Sequence, residues 1–220
     1  MKIPLIFVSL LWFCLYLAVR FRVNRQKEQK KEQSFWDREN EANFARVKPL
    51  DDLTYITVDT DALPFARIPK DDAARDALER VRALAGEKIV NLTGISNTDL
   101  KLRYGAASLE TLTAYDQNFT TLATSLQKWV HALIEEAACA EEETKAALLS
   151  DARTLLEFSV ASGSDITATY KDLAALYEET LSKQDAYDAV LKLKEGASTL
   201  SSMTKPQLLS FLEERAAALS

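Results

Sequence analysis

The chain has 220 residues, of which 47% are hydrophobic and 27% are charged, and its net charge is −6 at pH 7. This composition fits a folded chain with a core, and the acidic balance argues against nucleic-acid binding, since phosphates require a basic surface. The two cysteines, Cys14 and Cys139, stand where no intrachain disulfide is expected, which fits a reducing compartment.

The first predicted element is an apolar run at the amino terminus. Residues 3–19 carry no charge, and eleven of these 17 residues are Leu, Ile, Phe or Val. Each such residue favours insertion into a bilayer by roughly 0.3–0.6 kcal/mol, and the length is just sufficient for one helical crossing. Because no small-residue cleavage box follows the run, we predict an uncleaved transmembrane anchor over residues 1–22.

A basic cluster follows the apolar run and predicts its orientation. Six cations lie within twelve residues: Arg20, Arg22, Arg25, Lys27, Lys30 and Lys31. The positive-inside rule then places the amino terminus outside and the carboxy-terminal domain in the cytoplasm. The sequence therefore predicts a single-pass protein of the cell membrane, with a charged juxtamembrane helix over residues 23–46.

Residues 47–70 change in character. The segment 53–58 is rich in β-branched and aromatic residues, and Pro49, Pro64 and Pro69 interrupt the stretch. This pattern indicates an extended arm, with at most a single strand, that wraps a helical body. Acidic residues at 59–61 lack the Gly and Glu of a calcium loop, so no metal site is predicted there.

The remainder, residues 71–220, is predicted to be a helical domain. A helix capped at Asp71 runs to about Gly86, a short helix begins near Ser108, and a long amphipathic helix covers 119–137. Helix pairs follow, and Thr204 caps a last helix over about 204–219. The predicted fold class is all-α.

One helix pair carries aromatic and small residues at a fixed spacing. They are Tyr170, Leu173, Ala174 and Tyr177 on the first helix, and Ala186 and Val190 on the second. This spacing resembles a tetratricopeptide unit, and the resemblance implies stacked helix pairs over about residues 117–200 that bind other proteins. The layout of anchor, arm and helix pairs is also similar to that of uncharacterised bacterial proteins anchored by one membrane helix, a likeness that implies no activity.

Residues that could carry chemistry are few. The single histidine, His131, falls on the polar side of the long helix, and Cys139 is expected to be a small core residue. No His/Cys cluster has metal-ligand spacing, and neither a phosphate-binding loop nor a nucleophile elbow is found. The sequence therefore predicts a protein that is not an enzyme and that holds no cofactor and no metal.

A dense polar stretch, Asn91–Arg103, leaves two interpretations open. Its side chains either cap helices and shape turns, or form a polar recognition site at a helix amino terminus. The candidate recognition residues are Asn91, Ser96, Asn97, Asp99 and Arg103.

Three functions are consistent with this sequence. The leading hypothesis is a membrane-tethered helical module that scaffolds a protein partner at the cytoplasmic face. The second is a small-ligand-binding or enzymatic domain that uses the stretch Asn91–Arg103. The third is a structural subunit of a membrane assembly.

Overall fold

The computed structural model describes residues 5–220, apart from the side chains of residues 5–11, 14, 15 and 18. Helices dominate the described chain, and one pair of short strands accompanies them. In chain order the elements are α1 (Leu5–Asn43), β1 (Tyr55–Ile56), α2 (Asp72–Ala83), β2 (Ile89–Val90), α3 (Asn97–Tyr104), a 3₁₀ turn (Ala106–Ser108), α4 (Leu109–Ala138), α5 (Glu142–Ala161), α6 (Thr167–Thr180), α7 (Lys183–Ala197) and α8 (Lys205–Leu219).

The chain divides into two compact units. The first unit contains the residues up to Leu50 together with Ser96–Leu109, and the second unit contains Asp51–Ile95 and Glu110–Ser220. Most of the predicted arm therefore belongs to the second unit, whereas residues 96–109, which the sequence places in the helical domain, belong to the first.

The predicted transmembrane anchor over residues 1–22 is wrong. Its first four residues, and the side chains noted above, lie outside the described residues. Across the part of the chain that the structure describes, no helix combines the length and the apolar character needed to cross a membrane. The apolar run continues without a break into the charged residues from Arg20 onward, all within α1, and each charge costs about 3 kcal/mol at a bilayer centre. The single-pass topology, the outward amino terminus and the cell-membrane location depended on this anchor and are wrong with it.

The first unit joins the carboxy-terminal end of α1 to α3. Ala42 and Leu100 are its buried hydrophobic residues among those described. The Lys48 backbone N–H donates to the carbonyl of Tyr104 at 3.2 Å. Gly105 makes this approach possible, because its φ is +88° and a Cβ there would lie 2.7 Å from the Val47 Cα.

In the second unit, residues 51–70 pack on the helices. Tyr55 pairs with Val90 and Ile56 with Ile89 in an antiparallel ladder, so the predicted single strand has a partner that the sequence did not reveal. Farther along the arm, the Phe65 ring lies 5.4 Å from the ring of Trp129 on α4. Burial of these apolar side chains attaches the extended segment to the helical core.

The helices of the second unit follow local signals. Asp71 caps α2 by accepting a hydrogen bond from the Ala74 N–H, as the sequence predicts. The short helix predicted near Ser108 and the long helix predicted over 119–137 are one element, the 30-residue α4. One continuous core joins the helices, with Trp129, Leu155 and Leu173 among its buried side chains.

Candidate functional site

The residues predicted to form the helix-pair seam lie on α6 and α7. Five of the six side chains are at most 1% exposed: Tyr170, Leu173, Ala174, Ala186 and Val190. The sixth, Tyr177, is half-buried. Burial of these side chains holds α6 and α7 together. These packed residues therefore lie beneath the protein surface and support it, and a partner could contact the seam only at its edge.

Tyr170 fixes the turn that precedes α6. Its hydroxyl donates to the Ser164 carbonyl at 3.0 Å. Burial, with a smaller contribution from Asp165, raises the pKa of Tyr170 to about 12, so the hydroxyl remains a donor at any physiological pH. Gly163, next to Ser164, has a φ of +77°, the left-handed conformation that glycine commonly adopts just after the end of a helix.

An open groove lies across α5, α6 and α7, and we call it the α5–α7 groove. Its volume is about 750 Å³, within the range of natural ligand sites. The lining is mainly apolar and includes three charged residues: Arg153, Glu157, Val160, Ala161, Leu173, Tyr177, Leu181, Ala189, Lys192, Leu193 and Gly196.

One face of α7 forms a wall of this groove. Ala189, Lys192, Leu193 and Gly196 recur at the three- and four-residue spacing of a helix face. A Cβ added at Gly196 would meet no atom within 4 Å. Because Gly196 has no side chain, there is space at this position for a side chain of a bound partner to lie directly against the α7 backbone.

A polar cluster marks the α5 side of the groove. Arg153 Nη1 donates to Thr180 Oγ1 at 3.3 Å, and its Nε lies 3.8 Å from Glu157 Oε1. Burial first, and then the charge of Glu157 and a hydrogen bond to it, raise the pKa of Tyr177 well above its usual range. The Tyr177 hydroxyl is thus a neutral hydrogen-bonding group at the groove's edge.

Lys192, which also lines the groove, differs from this cluster because its ammonium group forms no ion pair among the described residues. Its side chain is exposed, and among the described residues it has no ion-pair or hydrogen-bond partner. An unpaired cation beside an apolar surface favours a guest that carries a carboxylate next to its apolar groups.

The predicted polar recognition residues are distributed over both units. In the second unit, the Asn91 amide donates to the Gly163 carbonyl at 2.7 Å, and its oxygen accepts the Thr93 N–H at 2.9 Å. Asn91 also lines a 210 Å³ pocket with three polar residues that the sequence did not single out: Asp165, Thr199 and Ser201.

In the first unit, Ser96 and Asp99 cap α3. Ser96 Oγ accepts the Asp99 N–H at 3.1 Å and donates to the Asp99 carboxylate at 2.6 Å. Asn97 and Arg103 are exposed. Capping therefore accounts for the hydrogen bonds between Ser96 and Asp99. Asp99 also accepts a hydrogen bond from Arg38 on α1, and the recognition role of this stretch stays a prediction.

Two further predictions concern reactive side chains. Cys139 is exposed, so the prediction that it is a core residue is wrong. It lies just after the last residue of α4, Ala138, outside the buried face of that helix. His131 is exposed, with its Nε2 3.2 Å from Asp172 Oδ2. No group of three or more His, Cys, Asp or Glu among the described residues has an arrangement that could hold a metal ion.

Comparison with known proteins finds no matching family model, and no curated protein or solved structure matches this chain.

Proposed function

We propose that this protein is a helical protein-binding module that holds a peptide segment of its partner in the α5–α7 groove. The observation that carries the proposal is an open, mainly apolar groove of about 750 Å³ on a buried support. Because the seam is packed, the groove is preformed, which lowers the entropy cost of binding. The resemblance of α6 and α7 to a tetratricopeptide unit supports the same function.

The chemistry of the lining defines the segment. Leu181, Leu193 and Ala189 offer apolar contacts to side chains spaced three or four residues apart on a helix. The free ammonium of Lys192 adds a preference for a neighbouring Asp or Glu. We infer that the partner segment is an amphipathic stretch with two or three apolar anchors and an acidic residue.

Selection from a displayed library of random 16-residue peptides, with the full chain as bait, tests this proposal. We expect enriched peptides to carry that pattern and to bind with a Kd of about 1–100 µM. The proposal fails if selection yields no binder above background.

Matched variants then locate the binding. Gly196→Leu fills the groove and should weaken the selected peptides at least about tenfold, which is 1.4 kcal/mol. Glu195→Leu adds the same side chain at an exposed position of α7 outside the groove lining and should leave binding unchanged. Equal effects of the two variants would show that the peptides bind elsewhere.

Charge variants test the inferred acidic residue. Lys192→Glu should weaken acidic peptides and spare their Asp→Asn or Glu→Gln counterparts, whereas Lys128→Glu, exposed on α4, should change neither. If Lys192→Glu has no effect, the apolar groove remains the proposed site, but the charge preference is wrong.

A further inference from the structure

The contact of α1 with α3 in the first unit is mainly polar. Ala42 and Leu100 are the buried hydrophobic side chains of this unit among its described residues. Two side chains of this size contribute roughly 2–4 kcal/mol when buried, which is little for holding two helices together. Polar contacts must supply the rest.

Two ion pairs cross from one helix to the other. Lys101 on α3 binds the Glu39 carboxylate, and its Nζ also donates to Asn43 Oδ1 at 2.9 Å. Thr98 Oγ1 donates to the second oxygen of Glu39 at 2.7 Å. The two charged side chains are about four-fifths buried: 18% of the Lys101 side chain and 19% of the Glu39 side chain are exposed.

The second pair is more open. Arg38 on α1 binds Asp99 on α3, and their side chains are 57% and 34% exposed. Arg103 adds positive charge near Asp99 from α3 itself, and Ser96 donates a hydrogen bond to the same carboxylate. The hydrogen bond from Lys101 lowers the pKa of Glu39, and the hydrogen bond from Ser96 lowers the pKa of Asp99.

A backbone contact next to these pairs does not involve charge. The Lys48 N–H donates to the Tyr104 carbonyl at 3.2 Å, and Gly105 gives the space for it. Because neither group is charged, changes in ionic strength should leave this hydrogen bond in place, and it can serve as a reference contact beside the ion pairs.

We propose that α1 and α3 form an ionic latch, which is closed at low salt near neutral pH and opens when salt screens the Arg38–Asp99 and Glu39–Lys101 pairs or acid neutralises the two carboxylates. Opening separates Asp99 from Arg38 and Lys101 from Glu39 and Asn43, so that these two α3 side chains become available for other contacts. No residue of the latch lines the α5–α7 groove.

Hydrogen exchange of the full chain, read by mass spectrometry at pH 7, tests the latch. Raising the salt from about 20 mM to about 500 mM shortens the screening length from roughly 20 Å to roughly 4 Å. We expect the α3 amides to exchange at least about fivefold faster at high salt, while the Lys48 amide and the α2 amides stay within about twofold. Exchange in α3 that does not respond to salt would overturn the proposal, as would a parallel change at Lys48.

Charge reversal supplies the second arm. Glu39→Lys and Lys101→Glu should each speed α3 exchange at low salt, and the two together should restore it, because the swapped pair has the same attraction. A double variant that exchanges as fast as the single variants would contradict the latch. If a single variant fails to fold, as the α2 amides would reveal, the salt response of the unmodified chain decides the matter alone.

Discussion

The substitution Gly105→Ala tests whether the close approach of Val47 to Gly105 holds the first unit together. The glycine has φ +88° and ψ 149°, a region that residues with a Cβ essentially do not occupy, at a cost of about 1–3 kcal/mol. The added Cβ would also lie 2.7 Å from the Val47 Cα and 2.9 Å from its N. Backbone atoms cannot rotate away, so the segment at Val47 must move.

The expected cost is therefore at least about 2 kcal/mol, enough to speed exchange of the Lys48 amide by about 30-fold. Hydrogen exchange at low salt measures this directly. Gly86→Ala is the matched control, because Gly86 has φ +91° but nothing within 4 Å of a new Cβ. It should cost only about 1–2 kcal/mol and act in the second unit. A Lys48 amide that exchanges no faster in Gly105→Ala would show that this glycine is not needed for the contact between residues 47–48 and the end of α3.

Four other outcomes follow from the structure. Leu155→Ala, at a fully buried position, should lower the free energy of unfolding by about 2–5 kcal/mol in a denaturant titration; a loss below about 1 kcal/mol would contradict the assigned core. Asn91→Ala removes both hydrogen bonds to the Gly163 and Thr93 backbone and should cost about 1–3 kcal/mol by the same titration, with Asn97→Ala, at an exposed position, near zero. Gly196→Ala should raise the melting temperature by about 2–4 °C, since Gly costs about 1 kcal/mol inside a helix and the new methyl group meets no atom; a lower melting temperature in calorimetry would show that the site is crowded. Glu39 and Asp99 have folded pKa values below their ordinary 4.5 and 3.8, so their contribution is complete above those values and is lost as the pH falls through the folded ones; α3 exchange, corrected for its intrinsic pH dependence, should therefore rise as the pH falls below about 4, and a flat profile down to pH 2 would contradict this.

Local signals in the sequence were sufficient for several helix boundaries. Asp71 caps α2 as predicted, and Ser96 caps α3 in the stretch where capping is one of the two predicted interpretations. Each accepts an N–H three residues along the chain. Such contacts depend on neighbouring residues alone, so the sequence displays them. Thr204 shows the limit of this reasoning: its predicted capping bond is absent, because its hydroxyl bonds to Thr167 and Ser202 instead.

Features that depend on distant residues were not accessible from the sequence. Strand β2 is two residues long, too short for a periodic pattern, and exists because it pairs with Tyr55–Ile56. Likewise, the spacing of the α7 wall is visible in the sequence, but its exposure to an open groove follows only from how α5 and α6 pack beside it.

The leucine methyl resonances of the full chain show whether a peptide segment binds in the α5–α7 groove. On titration with a selected peptide, we expect the methyl signals of Leu181 and Leu193, which line the groove, to shift and saturate together. Those of Leu78 and Leu112, buried outside the groove lining, should stay in place. Saturable binding that shifts Leu78 or Leu112 and leaves Leu181 and Leu193 unmoved would contradict the account.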